Sequence, residues 1–188
     1  MTRKLRVGVI GAGIAARHLT GFGWNKDLFE VPVLCSLDED RGKALCEEFA
    51  IGEYTQDANS LFARDDLDII DISTPPSSHF ELCRKGIESG KHVICEKPLF
   101  GSIAEVDEMG RILARFPGQK LMPIFQYRYG SGLQKLKLLI ERGLARQTVP
   151  DDDRDPLVAR PGLLRRAVAR QMGERAWRRP SRPRDPRS

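Results

Sequence analysis

Residues 5–19, LRVGVIGAGIAARHL, decide the fold of this chain. The apolar run from Val7 to Ile10, interrupted only by Gly8, predicts a buried parallel strand that leads through a glycine turn into a helix. Gly11 permits the sharp turn, and Gly13 has no side chain to keep a pyrophosphate from the backbone. The strand, the turn and the helix follow one another as a dinucleotide-binding loop requires.

The helix that follows this turn supplies the second part of the prediction. Ala16 is small enough to let the helix pack closely on the strand, and Ile14 and Ala15 stand at the helix start. Their backbone N–H groups and the positive end of the helix dipole favour phosphate groups. The alternative interpretation is an ordinary glycine turn in some other α/β protein.

Length and composition restrict the class of protein. A chain of 188 residues is long enough for one domain with a real core. No apolar run is long enough to span a membrane, and MTRK at the start lacks a signal-peptide pattern, so we expect a cytoplasmic protein. The four cysteines have no CxxC spacing and are expected to be buried free thiols.

The net charge of +5 comes from the end of the chain. Residues 1–147 hold 20 basic and 20 acidic residues, and residues 148–188 hold 11 arginines and 6 acids. The basic character therefore belongs to the tail, which argues against a nucleic-acid-binding domain.

Strand-like and helix-like segments alternate along the first three quarters of the chain. Further strands are predicted at 30–36, 67–73, 91–95 and 120–125, and helices at about 38–49, 58–62, 77–89, 102–116 and 132–142. Ser77 or Ser78 is expected to cap the helix at 77–89, and Ser102 with Glu105 is expected to form a capping box at the start of the helix at 102–116. This order predicts an α/β fold with a Rossmann-type doubly wound parallel sheet. We expect a nucleotide-binding domain at 1–125 and a crossover segment with a helix at 126–147.

Small, polar or charged residues stand at four predicted strand ends. They are residues 11–13, Ser36, residues 73–76 and residues 96–98. Because ligands bind at the carboxyl ends of the strands in such sheets, these groups are expected around one crevice.

The end of the second strand bears on the choice of cofactor. An acidic residue there would bind the adenosine ribose, but this chain has Ser36, with Asp38 and Arg41 following. Serine does not repel a 2′-phosphate and Arg41 is near enough to pair with one, whereas Asp38 could serve the ribose or cap a helix. The sequence leaves NAD and NADP open.

Lys97 is the candidate for chemistry. It follows an apolar strand and stands between Glu96, which could pair with it or orient it, and Pro98. Partial burial would lower the pKa of this lysine and suit it to proton transfer. The alternative is a structural Glu–Lys pair. His18, His79 and His92 are expected to be structural, and no metal-ligand spacing occurs.

Three segments carry a resemblance to a known family: VGVIGAGIAARH, DIIDISTPPSSH and GKHVICEKPL. In this order they resemble the N-terminal half of the Gfo/Idh/MocA oxidoreductases, over about residues 3–146. The resemblance implies an NAD(P)-binding domain in which Lys97 binds the nicotinamide ribose and acts in catalysis. It also implies an enzyme acting on a secondary alcohol of a sugar, a cyclitol or a related diol. The candidate cofactor-binding residues are Gly11, Gly13, Ile14, Ala15, Ser36, Asp38, Arg41, Ser73, Thr74, Pro75, His79, Glu96, Lys97 and Gln126.

The resemblance stops near Arg146. The family's substrate domain, with the histidine and aspartate that complete the site, is absent from residues 148–188, which are rich in Arg and Pro and are expected to be disordered. Codons compatible with residues 149–188, read one nucleotide later, can spell a sequence resembling the start of that domain. We therefore expect a frameshift near Gln147, an inactive fragment, and self-association through the uncovered face of helix 132–142. The alternatives are a non-catalytic dinucleotide sensor and a protein that binds partners through its tail.

Overall fold

The computed structural model describes residues 3–144. The predicted tail at 148–188 and the predicted frameshift near Gln147 lie outside the described residues. Within them the chain forms a parallel sheet of six strands with helices on both faces, so the predicted Rossmann-type α/β fold is confirmed.

The sheet has the strand order β3-β2-β1-β4-β5-β6, and all neighbouring strands are parallel. The order reverses between β1 and β4, which makes a crevice at the carboxyl ends of these two strands. The strands are β1 (Leu5–Ile10), β2 (Phe29–Cys35), β3 (Glu53–Thr55), β4 (Ile69–Ile72), β5 (His92–Cys95) and β6 (Leu121–Pro123).

Six α-helices connect or follow these strands within the described residues. They are α1 (Ala15–Trp24), α2 (Glu39–Glu48), α3 (Ala58–Phe62), α4 (His79–Glu88), α5 (Ile103–Arg115) and α6 (Ser131–Glu141), with 3₁₀ turns at Pro76–Ser78 and Gln126–Tyr129. Buried residues of α1 and α2 pack on one face of the sheet, and those of α3, α4 and α5 pack on the other.

Strand alternation decides which side chains face α1. In β4, Ile70 and Ile72 belong to the core beneath α3, α4 and α5, whereas Ile69 belongs to the core beneath α1 and α2. Side chains two residues apart in a strand point to the same face, so Asp71 faces α1 with Ile69. The same argument places Glu96, two residues after Ile94, on the α1 side at the end of β5.

Local sequence signals agree with most of the element boundaries. The predicted capping box of α5 is present, since Ser102 and Glu105 each accept a hydrogen bond from the other's backbone N–H. The predicted side-chain cap of α4 is wrong, because the Ser78 hydroxyl donates to the carbonyl of Pro75 instead. The short strand β3 was not predicted, since three residues are too few to show a period.

Residues 3–126 form one compact unit, and the described residues from Tyr127 onward belong to a second unit. In the described part of the second unit, α6 is amphipathic and its leucines at 133, 136 and 138 are exposed. Self-association through this helix stays a prediction. None of the helices between residues 3 and 144 combines the length and the apolar character that crossing a membrane requires.

Candidate functional site

The glycine loop joins β1 to α1 at the carboxyl edge of the sheet. Gly11 has φ +105°, and a Cβ atom on it would lie 2.7 Å from the carbonyl oxygen of Ser73. The Gly11 N–H donates to the Cys35 carbonyl at 2.8 Å, and the Ser73 N–H donates to the Ile10 carbonyl at 2.8 Å. The turn is therefore clamped between the ends of β2 and β4, in a conformation that only glycine adopts easily.

Space is available above Gly13. A Cβ atom on Gly13 would meet only the Ser73 carbonyl oxygen, at 3.8 Å, and the residue is exposed. Ile14 caps α1 without a side-chain hydrogen bond, and Ala15 is fully buried beneath it. The first turn of α1 therefore offers backbone N–H groups beside an open glycine backbone, which suits a diphosphate.

The end of β2 holds its polar groups in a fixed arrangement. Ser36 is buried; its hydroxyl accepts the Asp38 N–H at 3.1 Å, and its carbonyl accepts the Tyr54 hydroxyl at 2.6 Å. The Asp38 carboxylate caps α2 by accepting the Arg41 N–H at 3.1 Å. The capping alternative for Asp38 is thus the geometry observed.

Arg41 reaches from α2 to the glycine loop. Its Nη2 donates to the Gly13 carbonyl at 2.6 Å, and its side chain is exposed to solvent. A cation is therefore held where the second strand end meets the phosphate-binding loop.

The segment after β4 is tied to the segment after β5 through His79. Its Nδ1 lies 2.8 Å from the Pro98 carbonyl oxygen and its Nε2 lies 2.9 Å from the Thr74 carbonyl oxygen. Because His79 has no exposed surface, it cannot touch a cofactor directly, which corrects its place among the cofactor contacts. Thr74 is half-buried and bonded to the Ser78 hydroxyl, and Pro75 is exposed.

Glu96 and Lys97 differ from their predicted arrangement. The Lys97 side chain is exposed rather than partly buried, and among residues 3–144 its ammonium group has no ion-pair partner. Glu96 does not pair with that ammonium; its Oε2 accepts the backbone N–H of Lys97 at 2.8 Å. Glu96 therefore fixes the backbone of Lys97 and leaves its amine free. Gln126 is exposed just beyond β6.

A buried network beneath the loop was not predicted. His18, on α1, has its Nδ1 2.9 Å and 3.0 Å from the two Asp71 carboxylate oxygens and its Nε2 3.2 Å from Glu96 Oε1. Burial alone would lower the pKa of His18, but the two carboxylates raise it to about 9. Burial raises the pKa of Asp71.

One sequence signal could have revealed this network. Asp71 stands inside the run IIDI, and an acid in a strand buried on both faces needs a partner of opposite charge or a hydrogen-bond donor. Helix α1 supplies His18 as that partner.

Comparison with known proteins matches residues 5–122 to the oxidoreductase family described as having an NAD-binding Rossmann fold. A curated relative, the dTDP-3,4-didehydro-2,6-dideoxy-α-D-glucose 3-reductase of Actinomadura kijaniata, is 31% identical over 141 residues, 74% of this chain and 42% of that protein. The chain spans about two fifths of the length of the curated relatives it matches.

Solved structures of oxidoreductases are also similar to this chain. The WlbA dehydrogenase of Chromobacterium violaceum, in complex with NADH and UDP-GlcNAcA, is similar with a TM-score of 0.71 and 26% identity, covering 76% of this chain and 41% of that one. A 3-ketoreductase of Actinomadura kijaniata in complex with TDP-benzene and NADP is similar with a TM-score of 0.67 and 29% identity, covering 75% and 45%. Relatives thus bind either NADH or NADP.

Proposed function

Because this chain belongs to the Gfo/Idh/MocA family of oxidoreductases with an NAD-binding Rossmann fold, we propose that it is the nucleotide-binding part of a sugar, cyclitol or diol oxidoreductase. The observation that carries this proposal is the glycine turn at Gly11. Its hydrogen bonds and close contacts join the carboxyl ends of β1, β2 and β4, beside an open backbone at Gly13.

The residues present fit a dinucleotide. A diphosphate would lie against Gly13 and the first turn of α1, where no Cβ atom obstructs the approach. The adenosine ribose would lie near Ser36 and Arg41, and the nicotinamide ribose near Lys97. When bound, the nicotinamide supplies or accepts the hydride.

Lys97 is the residue of this chain that we assign to proton transfer. Its exposed amine is attached to a backbone that Glu96 holds, so the Nζ atom would hold and move a proton at the substrate hydroxyl. Hydride transfer also requires a substrate held against the nicotinamide. Because residues 1–188 match about two fifths of the length of their relatives, we propose that they bind the dinucleotide without turnover.

Titration of the full chain with NADH and NADPH tests this function. Enhanced nicotinamide fluorescence that saturates, together with no change in NADH or NADPH absorbance when ketosugars or oxidised cyclitols are added, is the expected result. A folded protein that binds neither nucleotide would overturn the proposal. Turnover by this chain alone would refute the expected lack of activity while retaining the oxidoreductase assignment.

Arg41 provides a test of the adenosine end. Arg41→Ala is expected to weaken NADPH binding by about tenfold and NADH binding by less than about twofold, because only NADPH carries a 2′-phosphate for the guanidinium to bind. Arg111→Ala, which removes another exposed arginine, on α5, is the charge-matched control. Equal weakening of both nucleotides by Arg41→Ala would show that this side chain supports the loop rather than selecting the cofactor.

A further inference from the structure

Three ionisable side chains that are mostly enclosed connect α1 to the ends of β4 and β5. The side chains of His18, Asp71 and Glu96 are 9%, 0% and 8% exposed. One imidazole thus bridges two carboxyl groups that come from neighbouring strands. Because so little of these side chains is exposed, we expect their effect on dinucleotide binding to be indirect.

The geometry indicates the charge of the bridge. Ionised carboxylates only accept hydrogen bonds, and both imidazole nitrogens lie within hydrogen-bonding distance of carboxylate oxygens. Both nitrogens can donate only when the ring is an imidazolium. A positive ring also offsets the repulsion between two acids that would otherwise face each other in a buried place.

The network leads to the backbone of Lys97. Glu96 uses Oε1 for His18 and Oε2 for the N–H of Lys97, at 3.2 Å and 2.8 Å. The Glu96 N–H in turn donates to the Ile72 carbonyl at 3.0 Å, next to Asp71. One carboxylate, that of Glu96, therefore connects the His18 ring to the backbone of Lys97.

We propose that His18 is a positioning residue that, through Glu96, holds Lys97 where the nicotinamide end of the dinucleotide binds. This inference rests on the proposed function, because it assumes that Lys97 meets the nicotinamide ribose. It assigns to the first helix a second role besides phosphate binding: the helix also orients the residue at the opposite end of the cofactor.

His18→Gln tests the proposal with two ligands. Glutamine has no positive charge, so it cannot replace the imidazolium between the two carboxylates. We expect the affinity for NADH or NADPH, whichever the wild type binds more tightly, to fall about tenfold. The affinity for ADP-ribose, which has the same adenosine and diphosphate but no nicotinamide, should change less than about twofold.

A double-mutant cycle with Lys97→Ala tests whether His18 affects dinucleotide binding through Lys97. If His18 acts through Lys97, His18→Gln should add little to the loss that Lys97→Ala already causes. Additive losses, or equal loss of ADP-ribose and the dinucleotide, would overturn the proposal and leave His18 as a structural contact only. If the wild type binds NADH and NADPH no more tightly than it binds ADP-ribose, the assignment of Lys97 to the nicotinamide ribose is refuted instead.

A measurement on the wild-type chain keeps the test valid if His18→Gln fails to fold. Nitrogen-15 NMR should show both ring nitrogens of His18 protonated at pH 7. Adding the dinucleotide should shift the resonances of the His18 ring and the Lys97 amide, and adding ADP-ribose should leave both nearly unchanged. Equal shifts with both ligands would contradict the proposed link.

Discussion

Gly11→Ala is expected to lower the free energy of unfolding by about 3 kcal/mol and to abolish dinucleotide binding. Gly11 has φ +105°, and the added methyl group would lie 2.7 Å and 2.8 Å from the carbonyl oxygen and carbon of Ser73. These are backbone atoms, clamped by the hydrogen bond between the Ser73 N–H and Ile10, so they cannot move aside without disturbing the join between β1 and β4. Urea denaturation and nucleotide titration measure the two effects.

Gly13→Ala is the matched control, two residues along the same loop. Its methyl group would meet only the Ser73 carbonyl oxygen at 3.8 Å, an ordinary contact distance. We expect stability within about 0.5 kcal/mol of the wild type, but much weaker dinucleotide binding, because the methyl group occupies the approach of the diphosphate. Unchanged binding in a folded Gly13→Ala protein would show that the phosphates do not lie on this loop.

Raising the pH from 6.5 to 9 is expected to lower the free energy of unfolding by about 2 to 3 kcal/mol. His18 has a pKa of about 9 in the folded chain, against 6.5 for an ordinary histidine. Because the folded chain binds this proton more tightly than the unfolded chain, protonated His18 stabilises the fold. The full stabilisation is present below the pKa of the unfolded state, and it is lost as the pH rises through the pKa of the folded state.

Urea denaturation at intervals between pH 6 and 9.5 measures this dependence. The groups facing the imidazole are Asp71 from β4 and Glu96 from β5, so His18→Gln should remove most of the slope. His92→Gln is the control: the Nδ1 of His92 accepts the N–H of Lys120 at the start of β5, whereas Glu96 follows the end of that strand, so the substitution should leave the slope intact. Stability that is constant or rises across this range in the wild type would contradict the assigned charge of His18.

The sequence predicted the elements that depend on local pattern. Each of these elements depends on residues that are close together in the chain. Strand β1, the turn at Gly11 and the capping box at the start of α5 could therefore be predicted from the sequence alone. The strand ends around Ser36, Ser73 and Glu96 also came together as expected, because parallel strands place their carboxyl ends along one edge.

The sequence could not predict what depends on distant partners. Glu96 and Lys97 are adjacent in the chain, which suggested that they pair, yet Glu96 lies on the α1 face and bonds to a histidine 78 positions earlier. The exposure of Lys97 and the burial of His79 depend on the loops after β4 and β5, whose packing no periodicity encodes.

The bridge between the first helix and the two strand ends restricts how this fold can be recombined. A chimaera that imports the first helix from another Rossmann protein, without a histidine at position 18, would leave two acids facing each other in the interior. Exchange of that segment would therefore succeed only when the residues at positions 18, 71 and 96 all come from the same parent protein. Any reshuffled library of such domains should keep these three sites from a single parent.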